Sequence, residues 1–339
     1  MRNHTADTSV AHESYWIKTP VFIDIFSLDC VSMNTSLASM HGVDQDRLER
    51  SFRVCVQDAR KAARNFHYAF LSLPKPKYRA MCALYCFMRQ TDDLADDGGM
   101  SVETRRLKLN DWSRQIDDLA GRGIVDGSEI FPALKWTLDT YQIPVSYLHD
   151  VIAGVTMDLD PQPFTDFAQL ERYCYHVAGA VGLCCISIWG YDESDIAHRT
   201  AIDCGTAFQL TNILRDIRED ATLGRCYLPQ DKLRAYQLTS EQLATGTAHG
   251  ILPFLIEQTQ LARSYYQRAA KLTPHLSKDG QGIFRGMMRI YGGLLHKIEC
   301  NPLSVMNGRV KLHRIAKMRI AMESFLFPNR PLPKWMTTD

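Results

Sequence analysis

No CxxC or CxxH spacing joins any of the ten cysteines, which argues against zinc knuckles and thioredoxin-type redox sites. Cys82 and Cys86 lie one helical turn apart in an apolar run, and Cys184 and Cys185 sit in another. Both pairs read as small hydrophobes of a reduced interior, so a cytoplasmic protein is expected. The amino terminus lacks the basic flank and continuous apolar core of a signal peptide. The longest nearly uncharged run, VAGAVGLCCISIWG (177–190), is too short and too glycine-rich to span a bilayer. A net charge of +1 provides no global field for nucleic acid. No Gly/Ser-rich linker and no repeat of fixed period divide the chain, and no stretch alternates cleanly enough for a sheet.

What is present is helical periodicity. Hydrophobic residues make up 45% of the chain, enough to bury a sizeable core. Apolar residues at 48, 52, 56, 59, 63, 66 and 70 form one helical stripe. The run PKPKYRAMCALYCFMRQTDDLADD goes from a proline start to a Gly98-Gly99 stop. Ser101 opens a helix to about Leu119, and Pro144 opens another toward Leu159. Asp166 to Trp189 and Ser194 to Asp220 read as two buried helices, each opened by a residue that can cap. GRCYLPQD (224–231) reads as a loop, and Thr239 with Gln242 as a capping box. Three further helices are expected near 250–273, 280–299 and 308–324. The expectation is one all-α domain from 46 to 326, with an N-terminal extension over 1–45 and a tail over 327–339. Met33 or Met40 is an alternative start.

Acidic charge is concentrated where it is least expected. RQTDDLADD (89–97) ends an apolar helix with four aspartates in six positions. Like charges one turn apart repel by about 0.2–0.5 kcal/mol. Asp92 and Asp96 form one i,i+4 pair, Asp93 and Asp97 another. In QLTNILRDIRED (209–220), Asn212, Asp216 and Asp220 fall at i, i+4 and i+8, on one helical face. Such lines of carboxylate on helices built for burial require a positive partner between them. A calcium loop fails, because Gly98 at its sixth position puts Ala95 where an oxygen ligand belongs. Softer metals would want His or Cys at these spacings. Magnesium fits, since it takes few protein carboxylates and completes its octahedron with water and phosphate oxygens. Arg89 and Arg215 each lie just before a cluster, where a guanidinium can share phosphates.

At this point four segments resemble a known family. NFHYAFLSLP (65–74), ALYCFMRQTDDLAD (83–96), YCYHVAGAVG (173–182) and QLTNILRDIREDATLGRCYLPQD (209–231) are similar to the squalene/phytoene synthases, which join two isoprenyl diphosphates head to head. The likeness runs from about Ser51 to Ile298. It implies a single helical bundle of the isoprenoid-synthase type around a central cavity, with two or three magnesium ions. On that likeness Asp92, Asp93 and Asp96 hold metal on one side, and Asn212, Asp216 and Asp220 on the other. Arg89, Arg215 and Arg225 grip phosphate, Tyr85 borders the first site, Tyr173 lies beside the reacting carbons, and Tyr291 lies near the diphosphate. Gln209, Phe70 and Phe208 join them as substrate contacts. Many family members carry a serine-rich stretch where this chain has Ala62, Ala63, Arg64 and Asn65; of these Asn65 keeps a hydrogen-bond donor for the substrate.

The reaction implied needs a stabilised leaving diphosphate, a dry cavity for a carbocation, and an acceptor for the departing proton. Tyr173 and the released diphosphate are both candidates for the last role. The motif TDDLADD is closer to squalene-type members than to the phytoene-type TDELVDG pattern. The reading therefore leans to two farnesyl diphosphates giving presqualene diphosphate, or squalene beyond it. Phytoene from two geranylgeranyl diphosphates is the alternative, and a non-catalytic assembly factor is the rival from another class. NADPH stays open as a cofactor that the sequence does not indicate. A monomer with transient contact to a bilayer surface, where its oily products would go, completes the expectation.

Overall fold

The computed structural model of the chain describes residues 45–62, 69–123, 126–246, 248–327 and 329–337. Among these residues every regular element is helical, and one isolated bridge joins Tyr191 to Leu276. The helices are α1 (Gln45–Ala62), α2 (Lys75–Asp96), α3 (Val102–Arg122), α4 (Phe131–Thr140), α5 (Val145–Met157), α6 (Phe167–Cys174) and α7 (Ala180–Trp189). They continue with α8 (Asp195–Thr222), α9 (Gln230–Ala235), α10 (Ser240–Thr245), α11 (Ile251–Ala270), α12 (Lys278–Cys300) and α13 (Arg314–Leu326).

Local signals place most of these boundaries. The Ser101 and Ser194 hydroxyls cap α3 and α8 by accepting from the Thr104 and Ala197 amides, which satisfies otherwise orphaned donors. Gly123 closes α3 with φ +68°, a conformation that costs glycine little. Thr239 and Gln242 form the reciprocal capping box of α10. Three details differ from the sequence expectation. Helix α4 was not foreseen; its Pro132 occupies the first turn, where a missing N–H costs nothing. The loop after Gly224 ends at Pro229, so Gln230 and Asp231 already belong to α9. The run from Asp166 to Trp189 is interrupted by a π turn over Tyr175–Gly179, which separates α6 from α7.

Helix α8, 28 residues long, is the central pillar. Helices α7, α10, α11 and α12 and the π turn pack around it, while α1 and α4 pack on α2. The stripe of α1 buries Leu48, Phe52, Cys55 and Ala59. Two glycines let backbones approach. A Cβ on Gly205 would lie 2.4 Å from the Ala178 carbonyl oxygen, and one on Gly182 would lie 2.8 Å from that of Ala201. The small residues of VAGAVG therefore serve close packing of the π turn and α7 on α8. Beyond α13 the chain returns to the bundle. The Arg289 guanidinium donates to the Arg330 and Pro331 carbonyls, both at 2.9 Å, and Met336 is buried.

Because the Gly205 Cα faces rigid backbone, Gly205→Ala is expected to destabilise the protein by about 1–3 kcal/mol. Urea denaturation checks this; an unchanged midpoint would show that the π turn can move aside.

Candidate active site

Helices α2, α5, α7, α8 and α12 wall one cavity. On α2 the lining side chains run Met81, Tyr85, Met88, Arg89, Asp92, Ala95 and Asp96. On α8 the lining residues are Ala201, Cys204, Gly205, Phe208, Gln209, Asn212, Ile213, Arg215, Asp216 and Asp220. Each helix thus changes from apolar to acidic along its cavity face, over about 20–30 Å at 1.5 Å per residue. The carboxylates come toward the C-terminal ends, where the helix dipole is itself negative and where neither helix carries a basic residue in its last turn.

The two acidic sets meet at one polar end. Burial, then the charges of Asp96 and Asp158, hold Asp92 well above the usual carboxylate range. Burial pushes Asp220 up to about 7 against the opposing pull of Arg225 and Arg309. Asp158 is likewise raised to about 6 by burial, although the Tyr227 and Tyr173 hydroxyls and Arg225 oppose the shift. Arg225 thus acts on a carboxylate of each wall. Asp216 is handled differently. Arg215 donates to it through Nε at 2.8 Å and through a second, shorter contact, and Arg309 Nε lies 3.0 Å from its Oδ1.

Tyr173 donates to both Asp158 oxygens at 3.0 and 3.1 Å, and Tyr227 donates to Oδ1 at 3.0 Å. The two phenol rings stack with centroids 5.3 Å apart. Burial, reinforced by Asp158, keeps the Tyr173 phenol protonated far above its ordinary range. Phe208 stacks on Tyr291 at 4.3 Å, giving the α8–α12 side a second aromatic face.

Of the residues singled out in the sequence, Asp92, Asp96, Asn212, Asp216, Asp220, Arg89, Arg215, Arg225, Tyr85, Tyr173, Gln209, Phe70, Phe208 and Tyr291 all line this cavity. Asp93 does not; it is half exposed and pairs with Arg89 at 2.8 Å, which fixes the guanidinium rather than facing the cavity. Asn65 lies outside the described residues. Phe87, on the same helix as the first acidic run, does not line the cavity; it is fully buried and stacks on Trp112 in the core. Sequence reasoning missed Asp158, Tyr227 and Arg309. Tyr227 stands inside the GRCYLPQD run and was legible there, whereas Asp158 and Arg309 carry no local signal.

Magnesium fits the oxygen donors present. Asn212 Oδ1 and Asp220 Oδ1 are buried with no hydrogen-bond partner, a costly arrangement unless a ligand meets them. Among the described residues no three His, Cys, Asp or Glu side chains are grouped closely enough to hold an ion alone. Magnesium bound through one or two carboxylates and phosphate oxygens does not require such a cage.

Fold and site together define a helical prenyltransferase-type enzyme of the isoprenoid-synthase architecture. The chain belongs to the squalene/phytoene synthase family, whose model matches residues 59–316. It is 32% identical over 277 residues to the 15-cis-phytoene synthase of a Synechocystis species, covering 77% of this chain and 80% of the relative. It is 33% identical over 279 residues to the phytoene synthase of Mycobacterium tuberculosis, covering 81% and 90%. Among solved structures, a dehydrosqualene synthase superposes with TM-score 0.75 at 25% identity, covering 84% of this chain and 98% of that one. A squalene synthase from Alicyclobacillus acidocaldarius, at 21% identity, shares the fold with TM-score 0.70 over 78% and 98%. The curated relatives thus move the weight from the farnesyl reading toward the phytoene alternative.

The raised Asp220 has a consequence for ligand-free protein. Its folded pKa lies above the unfolded one, so its favourable contribution is complete below about pH 4 and is lost as pH rises through about 7. Asp220→Asn, neutral throughout, should therefore gain stability relative to wild type as pH rises, by on the order of 2–4 kcal/mol at pH 8. Urea denaturation at pH 4, 6 and 8 measures the difference; a difference independent of pH would refute the burial argument.

Proposed function

We propose that this chain is a magnesium-dependent head-to-head prenyl synthase that joins two geranylgeranyl diphosphates to give phytoene. The observation carrying the proposal is the convergence of two carboxylate-bearing helices on one polar end of an otherwise apolar cavity. The phytoene synthases among the relatives favour the longer substrate. A second reading, two farnesyl diphosphates, is favoured by the TDDLADD motif and by the likeness to a dehydrosqualene synthase.

In this reading the residues Asp92, Asp96, Asn212, Asp216 and Asp220 hold magnesium against diphosphate. Bound magnesium supplies Lewis-acid stabilisation of the leaving group. Arg89, steadied by Asp93, and Arg215, steadied by Asp216, present preset guanidinium groups to the phosphates. As the allylic C–O bond breaks, negative charge grows on the departing diphosphate, where Arg89, Arg215 and Arg225 receive it, while positive charge stays on the prenyl carbon. Val155, Val177, Ile186 and Phe284 keep water from that carbon, and the Tyr173 and Phe208 rings offer it electron-rich faces. The deprotonation step can run through Tyr173. Its oxygen takes the substrate proton as its own proton passes along the existing hydrogen bond to Asp158.

Purified protein with magnesium and either prenyl diphosphate tests the proposal. The expected product is phytoene from geranylgeranyl diphosphate. Products from farnesyl diphosphate alone would establish the second reading, and no diphosphate release from either would leave a binding module. Asp92→Asn is expected to cut turnover by about a hundredfold or more while retaining the fold. Asp216→Asn is a poorer probe, because it would leave the largely buried Arg215 and its neighbour Arg309 without their counter-ion. Wild-type turnover in Asp92→Asn would overturn the metal assignment.

A further inference from the structure

Helix α13 packs one side on α12 and carries an apolar stripe on the other. Its Ser324 is buried toward α12, where a Cβ on Gly286 would approach the Ser324 hydroxyl oxygen to 3.0 Å. On the opposite side Ile315, Met318, Met322 and Leu326 fall within about 80° of arc at 100° per residue. These four are 70%, 52%, 55% and 57% exposed, and the adjoining Phe327 is 61% exposed. Scattered surface hydrophobes are ordinary; a continuous stripe of them on one helix is not.

The charge around the stripe is one-sided. Between residues 311 and 334 the chain carries Lys311, Arg314, Lys317, Arg319, Arg330 and Lys334 against a single acid, Glu323. That acid is already engaged by Arg319 at 3.7 Å and Arg330 at 2.5 Å. The whole chain is nearly neutral, so this surplus is local. An apolar strip flanked by lysine and arginine is the pattern of a helix lying in the plane of an anionic bilayer. No described helix is long and apolar enough to cross a membrane, so α13 would rest on the surface rather than span it.

We propose that the outer face of α13 docks the protein on an anionic lipid surface. The apolar strip enters the acyl boundary and the basic residues meet the phosphate headgroups. The position suits a lipid-handling cavity. Helix α13 covers α12, whose Phe284, Met287 and Tyr291 line the cavity, and the preceding Arg309 reaches Asp216 at its polar end. Docking stands on the helix itself and is read without turnover, so it can fail or succeed independently of the proposed reaction.

The test is sedimentation of the full chain with vesicles of phosphatidylcholine containing about a third phosphatidylglycerol, beside vesicles of phosphatidylcholine alone. Binding is expected to the anionic vesicles, to weaken as salt is raised, and to fall about tenfold or more in Met318→Glu/Met322→Glu. Both methionines face solvent, so circular dichroism and the thermal midpoint should be unchanged in that variant. Wild-type protein remaining in the supernatant, or equal binding by the variant, would overturn the proposal. So would a wild-type dimer that becomes a monomer in the variant by sedimentation velocity without lipid, since the strip would then be a self-association face.

Discussion

Everything in this molecule is arranged around an electrostatic conflict. Carboxylates stand toward the negative ends of two helices, inside a cavity whose other walls are apolar. Burial disfavours the ionised forms of Asp92, Asp158 and Asp220, and neighbouring carboxylates add to it at Asp92 and Asp158. The proposed magnesium and diphosphate would relieve that conflict. The arginines placed among the carboxylates offset part of the conflict without removing it, as the raised Asp92, Asp158 and Asp220 demonstrate.

The carboxylates do not share one role. Asp216 is tied to Arg215 and Arg309 and helps to order the end of α8 and the segment before α13. Asp220 and Asn212 keep an oxygen with no protein partner. Asp158 is occupied by two phenols and sets the direction of the Tyr173 hydroxyl. The paired groups thus stand beside oxygens that are buried without a partner, an arrangement whose cost the rest of the fold must offset.

Most of the scaffold was legible because periodicity and punctuation agree. The caps Ser101, Ser194 and Thr239 and the stripe of α1 each state their element locally. The two acidic runs were legible because four aspartates ending an apolar helix have no stable meaning without a counter-charge. Other features were hidden for physical reasons. Arg309 meets a carboxylate 93 residues away, and no local spacing reports such a pair. Asp158 lies in the turn after α5, near Asp160 but with no companion at helical spacing to mark it. Asp93 shares its cluster's composition but faces Arg89 instead of the cavity, a distinction of helical angle within neighbouring residues. TDDLADD bears on the acidic end of the cavity and the apolar walls lie elsewhere along it, so that motif says little about substrate length, and the phytoene synthase relatives weigh more.

The π turn at Tyr175–Gly179 carries a final implication. One extra residue in the winding shifts the angular phase of everything that follows by about 100°. An unbroken α-helix would swing Gly182 and Ile186 far around from Tyr173, yet all three border the same hollow. The slip works as a vernier between two rulers: a substitution in α7 can change one stretch of the hollow's wall while Tyr173, on the other side of the slip, keeps its own registration.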